Sequence, residues 1–495
     1  MNSTSPSSIL FSGGTIIAFN RQTESLEVIR NGSVLVTGDR IASVSSSLPS
    51  SIPANTEKVD ITDKIITTGF IDTHRHGWQT AFKTLGSNTS LVEYFNRYSE
   101  FSVVQQYPLT ADDVYYGQLA GLYEALNAGV TTTLDHAHHT WSNETSEAGL
   151  KASIDSGARV FWAYAFHDNI PNFPLEEQFA NFRDIAAKGV YKNTPTSLGV
   201  AYDYFGPNPD IETVNTVIDL LRSSNASVLT THSVQGPWGA DNSPEDLDSF
   251  GILNLSTPIV FSHASFITAP GSRLLRQTNQ YISITPESEM HYGHGHPTSH
   301  LIQDQAALGV DTHFTFSTDI LTQARLWLQS ARKTFYDNVL ETWRVPVTNP
   351  MSVNQAFLLA TRNGGRALRR DDLGILAVGA KADLVVWDGT SPALLGWNDP
   401  VAAVVLHASV GDIEHVVVDG KWKKRDGKIV DVGYKDVKKK FLESAKRIQR
   451  LVIGTPSVLP TSGTFQSGFE LGFPVRADVV NGTGNGYGVP FLEAP

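Results

Sequence analysis

Residues 69–76 read GFIDTHRH. A glycine opens a short apolar run, and the run ends on Asp72, His74 and His76. Side chains two positions apart on a strand share a face, so His74 and His76 can point to one side and hold one ion. On its own a His-x-His pair is a weak signal, because such pairs occur on surfaces by chance. The weight comes from recurrence downstream. ASVLTTHSV (226–234) carries His232 near its end, PIVFSHASF (258–266) carries His263, and THFTFSTDI (312–320) carries Asp319. Each follows several apolar or β-branched residues. A buried Asp in such a place is expensive unless paired, hydrogen-bonded or bound to metal. Four histidines and one aspartate at successive strand ends point to a cation.

Working outward, the same texture continues in VTTTLDHAHH (130–139), ARVFWAYAFHD (158–168), TSLGVAYDYF (196–205) and YISITPES (281–288). Helix-like stretches such as ADDVYYGQLAGLYEALNAG (111–129) and PDIETVNTVIDLLRSSN (209–225) lie between strand candidates. Eight strands alternating with helices predict an α/β fold, a (β/α)8 TIM-type barrel with the polar strand ends at its C-terminal face. An open doubly wound sheet is the competing arrangement, and the count of eight favours closure. Short β-rich runs broken by Gly, Asp and Asn fill 9–68 and return at 371–430. The economical reading is a small β-sandwich formed by both chain ends (1–68 and 371–433), with the barrel (69–370) inserted between them. Residues 434–452 place Val437, Phe441, Ile448 and Val452 on one helical stripe with a basic opposite face, which predicts a docked helix. A Gly- and Pro-rich tail follows to residue 495.

Composition narrows the function classes. The chain has 495 residues, 41% of them hydrophobic, and a formal net charge of −12. That is ample for a deep core and argues against DNA, RNA or an anionic membrane surface as partner, since those need a basic footprint. With no cysteine there are no disulfides, thiolate metal sites or thiol nucleophiles. Any metal falls to the 15 histidines and the carboxylates. The N-terminal MNSTSPSSILF lacks the basic and apolar regions of a secretory signal, and no apolar run approaches the ~18 residues of a membrane span. These features predict a soluble, cytoplasmic protein acting on a small molecule.

The set resembles the amidohydrolase superfamily, in the branch that holds cytosine deaminase, atrazine chlorohydrolase, methylthioadenosine deaminase and 8-oxoguanine deaminase. GFIDTHRHGWQ is similar to the first-strand motif of that branch, NAGVTTTLD to its Gly-Val-Thr-Thr segment, and ATRNGGRALRRDDLGILAVGAKADLVVWD to its return into the β-sandwich. The resemblance implies that His74, His76, His232 and Asp319 bind one divalent ion, with His263 beside the water or within the coordination. It also implies homo-oligomerisation. No lysine ends TSLGVAYDYF, where binuclear relatives carry one, so a mononuclear site is implied. Imidazole and carboxylate ligands suit Zn²⁺ first, with Fe²⁺ and Mn²⁺ as alternatives. Zinc would bring bound water towards a pKa of ~7. Asp319 and His263 are then the catalytic pair: Asp319 moves a proton, and His263 orients water or polarises the substrate.

One departure bears on the reaction. Deaminases of this branch carry His-x-x-Glu after the fifth strand, and here the run is His232-Ser-Val-Gln235. Glutamine hydrogen-bonds but does not titrate. Glu287 or Glu289, in TPESEMHYGHGHP (285–297), would have to supply the missing acid. The candidate substrate-binding residues are Trp78, Gln79, His138, Tyr164, Gln235, Glu287, Glu289 and His291. Core packing explains the aromatic ones nearly as well, and a solvated loop explains His294 and His296. The sequence therefore predicts a mononuclear metal-dependent hydrolase working at a C–N bond of a small cyclic or aromatic substrate. Two alternatives stand beside it: a lyase, hydratase or decarboxylase on the same metal site, and a catalytically inactive barrel scaffold.

Overall fold

Eight parallel strands pair in chain order into one sheet: Phe70–Arg75, Val130–Ala137, Arg159–Phe166, Ser197–Tyr202, Leu229–Ser233, Ile259–His263, Tyr281–Ile284 and Ala306–Leu308. The structure is a computed structural model, and it describes residues 8–474 apart from 240, 432, 461, 466 and 467. The part of the expected C-terminal tail at 475–495 lies outside the described residues. Side chains of the strands are buried almost throughout, as expected of a parallel sheet covered by helices.

The sheet closes to a barrel where its first and last strands meet. The backbone N–H groups of Val310 and Asp311 donate to the His74 carbonyl at 3.0 and 2.8 Å. Asp72 Oδ1 accepts from the backbone N–H of His74 at 3.2 Å and of Val310 at 3.1 Å. Gly309 makes this approach feasible, since a Cβ there would stand 2.8 Å from the His74 nitrogen and 2.9 Å from its carbonyl oxygen.

The eighth strand is not the one expected. THFTFSTDI forms no strand; its last residue opens the helix Ile320–Leu340. The barrel instead uses Ala306–Leu308, a three-residue strand that bonds in register with Tyr281–Ile284. The first seven candidates each contain a barrel strand.

Helices cover the barrel where periodicity and caps specify them. Thr110 and Asp113 form a reciprocal capping box at the start of Ala111–Asn127, and Asp210 caps Ile211–Ser223. The expected C-terminal helix is Tyr434–Gly454. It buries Ile448 and Val452 and holds its basic face outward, while Ser444 and Arg447 bond Asp113.

A second, nine-stranded sheet draws on both chain ends, as a β-sandwich built that way requires. Its midpoint is the antiparallel pairing of Ile65–Thr68 with Leu384–Trp387, in register Thr68↔Leu384 through Ile65↔Trp387. Arg159, which opens the third barrel strand, donates to both oxygens of Asp383 at 3.0 and 3.1 Å and also pairs with Asp419. This buried fork ties the barrel to the sheet.

Candidate metal centre

The C-terminal ends of the first, fifth and sixth barrel strands deliver His74, His76, His232 and His263 to one point, and the turn after the eighth delivers Asp311. Ligand atoms of His74, His76 and His232 lie within 4.8 Å of one another, as do those of His74, His263 and Asp311. Asp311 Oδ1 is 3.1 Å from His76 Nε2 and 3.4 Å from His74 Nε2. His232 Nε2 is 3.3 Å from His76 Nε2.

What lies behind each ring sets its direction. His76 Nδ1 donates to the His136 carbonyl at 3.0 Å. His232 Nδ1 donates to Asp203 Oδ2 at 2.8 Å. His263 Nδ1 lies 3.2 Å from Glu289 Oε1 and 2.9 Å from Thr285 Oγ1, and His74 Nδ1 lies 2.8 Å from Ser262 Oγ. With Nδ1 donating, the Nε2 atoms of His76 and His232 present lone pairs to each other, which only a shared proton or a cation relieves. Apart from the Asp311 oxygen at 3.4 Å, buried His74 Nε2 has no hydrogen-bond partner among the described residues. Three converging imidazoles beside an ionised carboxylate suit a divalent ion, and the partners behind them are those that orient metal-binding histidines.

The electrostatics follow from burial and pairing. Burial opposes charge on Asp311, but the His74 and His76 rings outweigh it and hold the carboxyl well below its usual range. Burial keeps His74 neutral. It opposes charge on His232 too, yet Asp203 outweighs it and raises that ring to about 9. A cation arriving there displaces a proton, as metal binding to imidazole generally does.

The structure places Asp319 elsewhere. It caps the helix Ile320–Leu340, accepting from the backbone N–H of Leu321 at 2.9 Å and from Thr322 Oγ1 at 2.7 Å. Asp311 stands in the cluster instead, because the eighth strand ends at Leu308 and the turn after it reaches the histidines. The other candidates divide. His138 lines the cavity above the cluster. Trp78 lies behind it and donates from Nε1 to His138 Nδ1 at 2.9 Å. Gln79 holds Tyr94 and the Tyr98 carbonyl. Tyr164 packs outward against Phe166 and Phe182. Gln235 is buried in a left-handed conformation at φ 39°, and its Oε1 has no partner among the described residues.

Neither proposed substitute acid reaches the cavity. Glu287 exchanges hydrogen bonds with Gln323 at 2.9 Å each way. Glu289 accepts from Thr285, His263 and His296; burial opposes its charge, but His296 and His263 outweigh it and bring it down to about 2. It is a fixed acceptor that orients His263. These residues belong to a helix, Pro286–Tyr292, not a loop, and His291 on it packs against Tyr292 and Phe316. His294 does line the cavity, with both ring nitrogens unpartnered among the described residues.

The residue the sequence did not disclose is Glu100, at the start of the helix Glu100–Gln106. Its side chain is 14% exposed, borders the cavity of about 370 Å³, and is raised by burial to about 7. It lies far from any strand end, so only a carboxylate in an otherwise uncharged stretch (98–107) marked it.

Comparison with known proteins agrees with this geometry. Residues 244–423 match the Amidohydrolase family. The 5-methylthioadenosine/S-adenosylhomocysteine deaminase of Dictyoglomus turgidum is 25% identical over 82% of this chain and 92% of its own length. The zinc-bound crystal structure of an adenosine deaminase from Xanthomonas campestris superposes with a TM-score of 0.75 at 18% identity, covering 89% of this chain and 98% of that one. Atrazine chlorohydrolase from Arthrobacter aurescens, complexed with zinc, also gives 0.75 at 17% identity, over 88% and 100%. Barrel, two-ended sheet and buried histidine–aspartate cluster accord with the match of residues 244–423 to the Amidohydrolase family and with the fold shared by these zinc-bound structures.

Proposed function

We propose that this protein hydrolyses a C–N bond of a small heterocyclic substrate with one divalent ion, Zn²⁺ first among candidates, held by His74, His76, His232 and Asp311. The observation that carries the reading is the convergence of those donors, with His263 adjacent, at the floor of an aromatic-walled cavity. A divalent ion in this position supplies Lewis acidity that makes water nucleophilic at neutral pH. Asp311 keeps a carboxylate at the floor, placed to accept a proton from water and pass it to a leaving nitrogen. His263, fixed through Nδ1 by Glu289 and Thr285, turns Nε2 towards the same point and orients what binds there. Tyr94, Phe95 and Phe101 wall the cavity against bulk water.

The test has two parts. Elemental analysis should find one divalent ion per chain, and chelation should remove it together with activity that Zn²⁺ restores. Screening purines, pyrimidines, triazines and their nucleosides should reveal ammonia or amine release. Metal-replete protein that releases neither from any of them would overturn the reading. Gln235, in a place where a titrating residue serves deaminases, favours one second reading, a lyase or decarboxylase reaction at the same ion. Its mark is substrate consumption without ammonia.

A further inference from the structure

The cavity above the cluster is lined by four carboxylates, Glu100, Asp203, Asp241 and Asp311, and among the described residues by no lysine or arginine. Asp203 and Asp311 are engaged by histidines. Glu100 is not. Among the described side chains, the cation-forming group it approaches is His138, whose Nε2 lies 3.9 Å from Glu100 Oε2.

The tautomer of His138 is fixed by its other nitrogen. Trp78 Nε1 can only donate, and it lies 2.9 Å from His138 Nδ1. Nδ1 is therefore the acceptor, and the ring hydrogen sits on Nε2. That N–H is buried, has no hydrogen-bond partner among the described residues, and belongs to a residue that is 2% exposed and lines the cavity. An unsatisfied buried donor is destabilising in general, so a ligand acceptor placed there is favoured.

We infer that Glu100 and His138 form a paired acceptor–donor edge that grips a flat nitrogen heterocycle, neutral or cationic, through adjacent donor and acceptor atoms of its rim, and that the site rejects anionic substrates. A ring amidine or lactam presents that pair: an N–H for the Glu100 carboxylate beside a lone pair for His138 Nε2–H. Tyr94, Phe101, Tyr204 and Tyr292 offer aromatic surface to the ring. A phosphate or carboxylate on the part of the substrate held away from the cavity floor would meet Glu100 and Asp241 with no lysine or arginine among the described lining residues to pair it, and burying an unpaired charge is strongly unfavourable. The inference deepens the hydrolase reading and rests on it.

Calorimetry on the metal-loaded full chain separates the two. The probes are adenosine, guanosine, cytidine and melamine, with AMP, GMP and CMP as the anionic counterparts. At least one uncharged probe should bind, and its phosphorylated counterpart, where there is one, should bind at least tenfold more weakly. Glu100→Leu should weaken the uncharged probe about tenfold or more, with one metal ion per chain retained, and Glu100→Gln should weaken it less, since its amide oxygen still accepts. Equal binding of a phosphorylated counterpart, native affinity in Glu100→Leu and Glu100→Gln alike, or no binding of any uncharged probe would each overturn the inference. A probe that binds through Glu100 yet releases no ammonia would count against the hydrolase reading and leave the recognition edge standing.

Discussion

Asp203 Oδ2 stands 2.8 Å from Nδ1 of His232, and the same carboxylate takes the backbone N–H of His232 on Oδ1 at 2.7 Å. The ring is thus fixed in both orientation and tautomer by one residue at the end of the fourth barrel strand. Partners of this kind typically govern metal affinity by 10–100-fold. Asp203→Ala should therefore lower affinity for Zn²⁺ by about that factor in a chelator competition, with the circular-dichroism spectrum unchanged. Native affinity in the variant would refute the role.

Asp311 and Asp319 should separate cleanly. Asp311→Asn removes a carboxylate from among His74 and His76 and should abolish activity and stoichiometric metal. Asp319→Ala removes a helix cap, which typically costs ~1 kcal/mol. It should lower the thermal midpoint modestly and keep both metal and turnover.

Arg159 is buried between Asp383 and Asp419. Arg159→Met leaves Asp383 without its ion-pair partner at the seam between barrel and sheet, and Asp419 with Lys381 at 3.0 Å. Breaking a buried pair by removing one partner costs about 3–5 kcal/mol, so the variant should melt well below the native protein. A variant that also carries Asp383→Leu should recover part of the loss.

Acid stability has an identifiable contributor in the sheet region. Burial works to raise the Asp372 carboxyl, but Arg370 and Arg40 outweigh it and bring it from the ordinary 3.8 down to about 2. A carboxyl depressed on folding stabilises fully above its unfolded value and loses that contribution as pH falls towards the folded one. The window here is about pH 4 to 2. Since the side chain is 22% exposed, solvent screening leaves on the order of 1 kcal/mol. Asp372→Asn should lower the thermal midpoint at pH 7 and converge with the native protein near pH 2.

Seven barrel strands and the four cluster histidines are legible because long or strongly apolar runs end abruptly on polar residues. Ala306–Leu308 carries no such signal. Three small or aliphatic residues, held by neighbours rather than by their own propensity, become a strand only because a gap in the barrel awaits them. THFTFSTDI alternates convincingly, yet follows the barrel, and this displaced the aspartate by eight positions. The short run Leu308-Gly309-Val310-Asp311 was the cue that could have found it. Glu100 was illegible for another reason: it reaches the cavity from a helix beyond a long connection, and no local pattern records where such a helix docks.

The seam between the first and last barrel strands has a kinetic consequence. Asp72 bonds Val310 across 238 positions of chain, and His74 meets Asp311 over almost the same span. Contacts so distant in sequence close late, after the entropy of the intervening loop has been overcome. The candidate metal pocket therefore needs both ends of the barrel sequence in place, because His74 and Asp311 come from its first and last strands. An ion present during refolding binds the closed form alone and draws the population towards it, so divalent cation should act as a latch on the finished ring and not as a nucleus for its assembly.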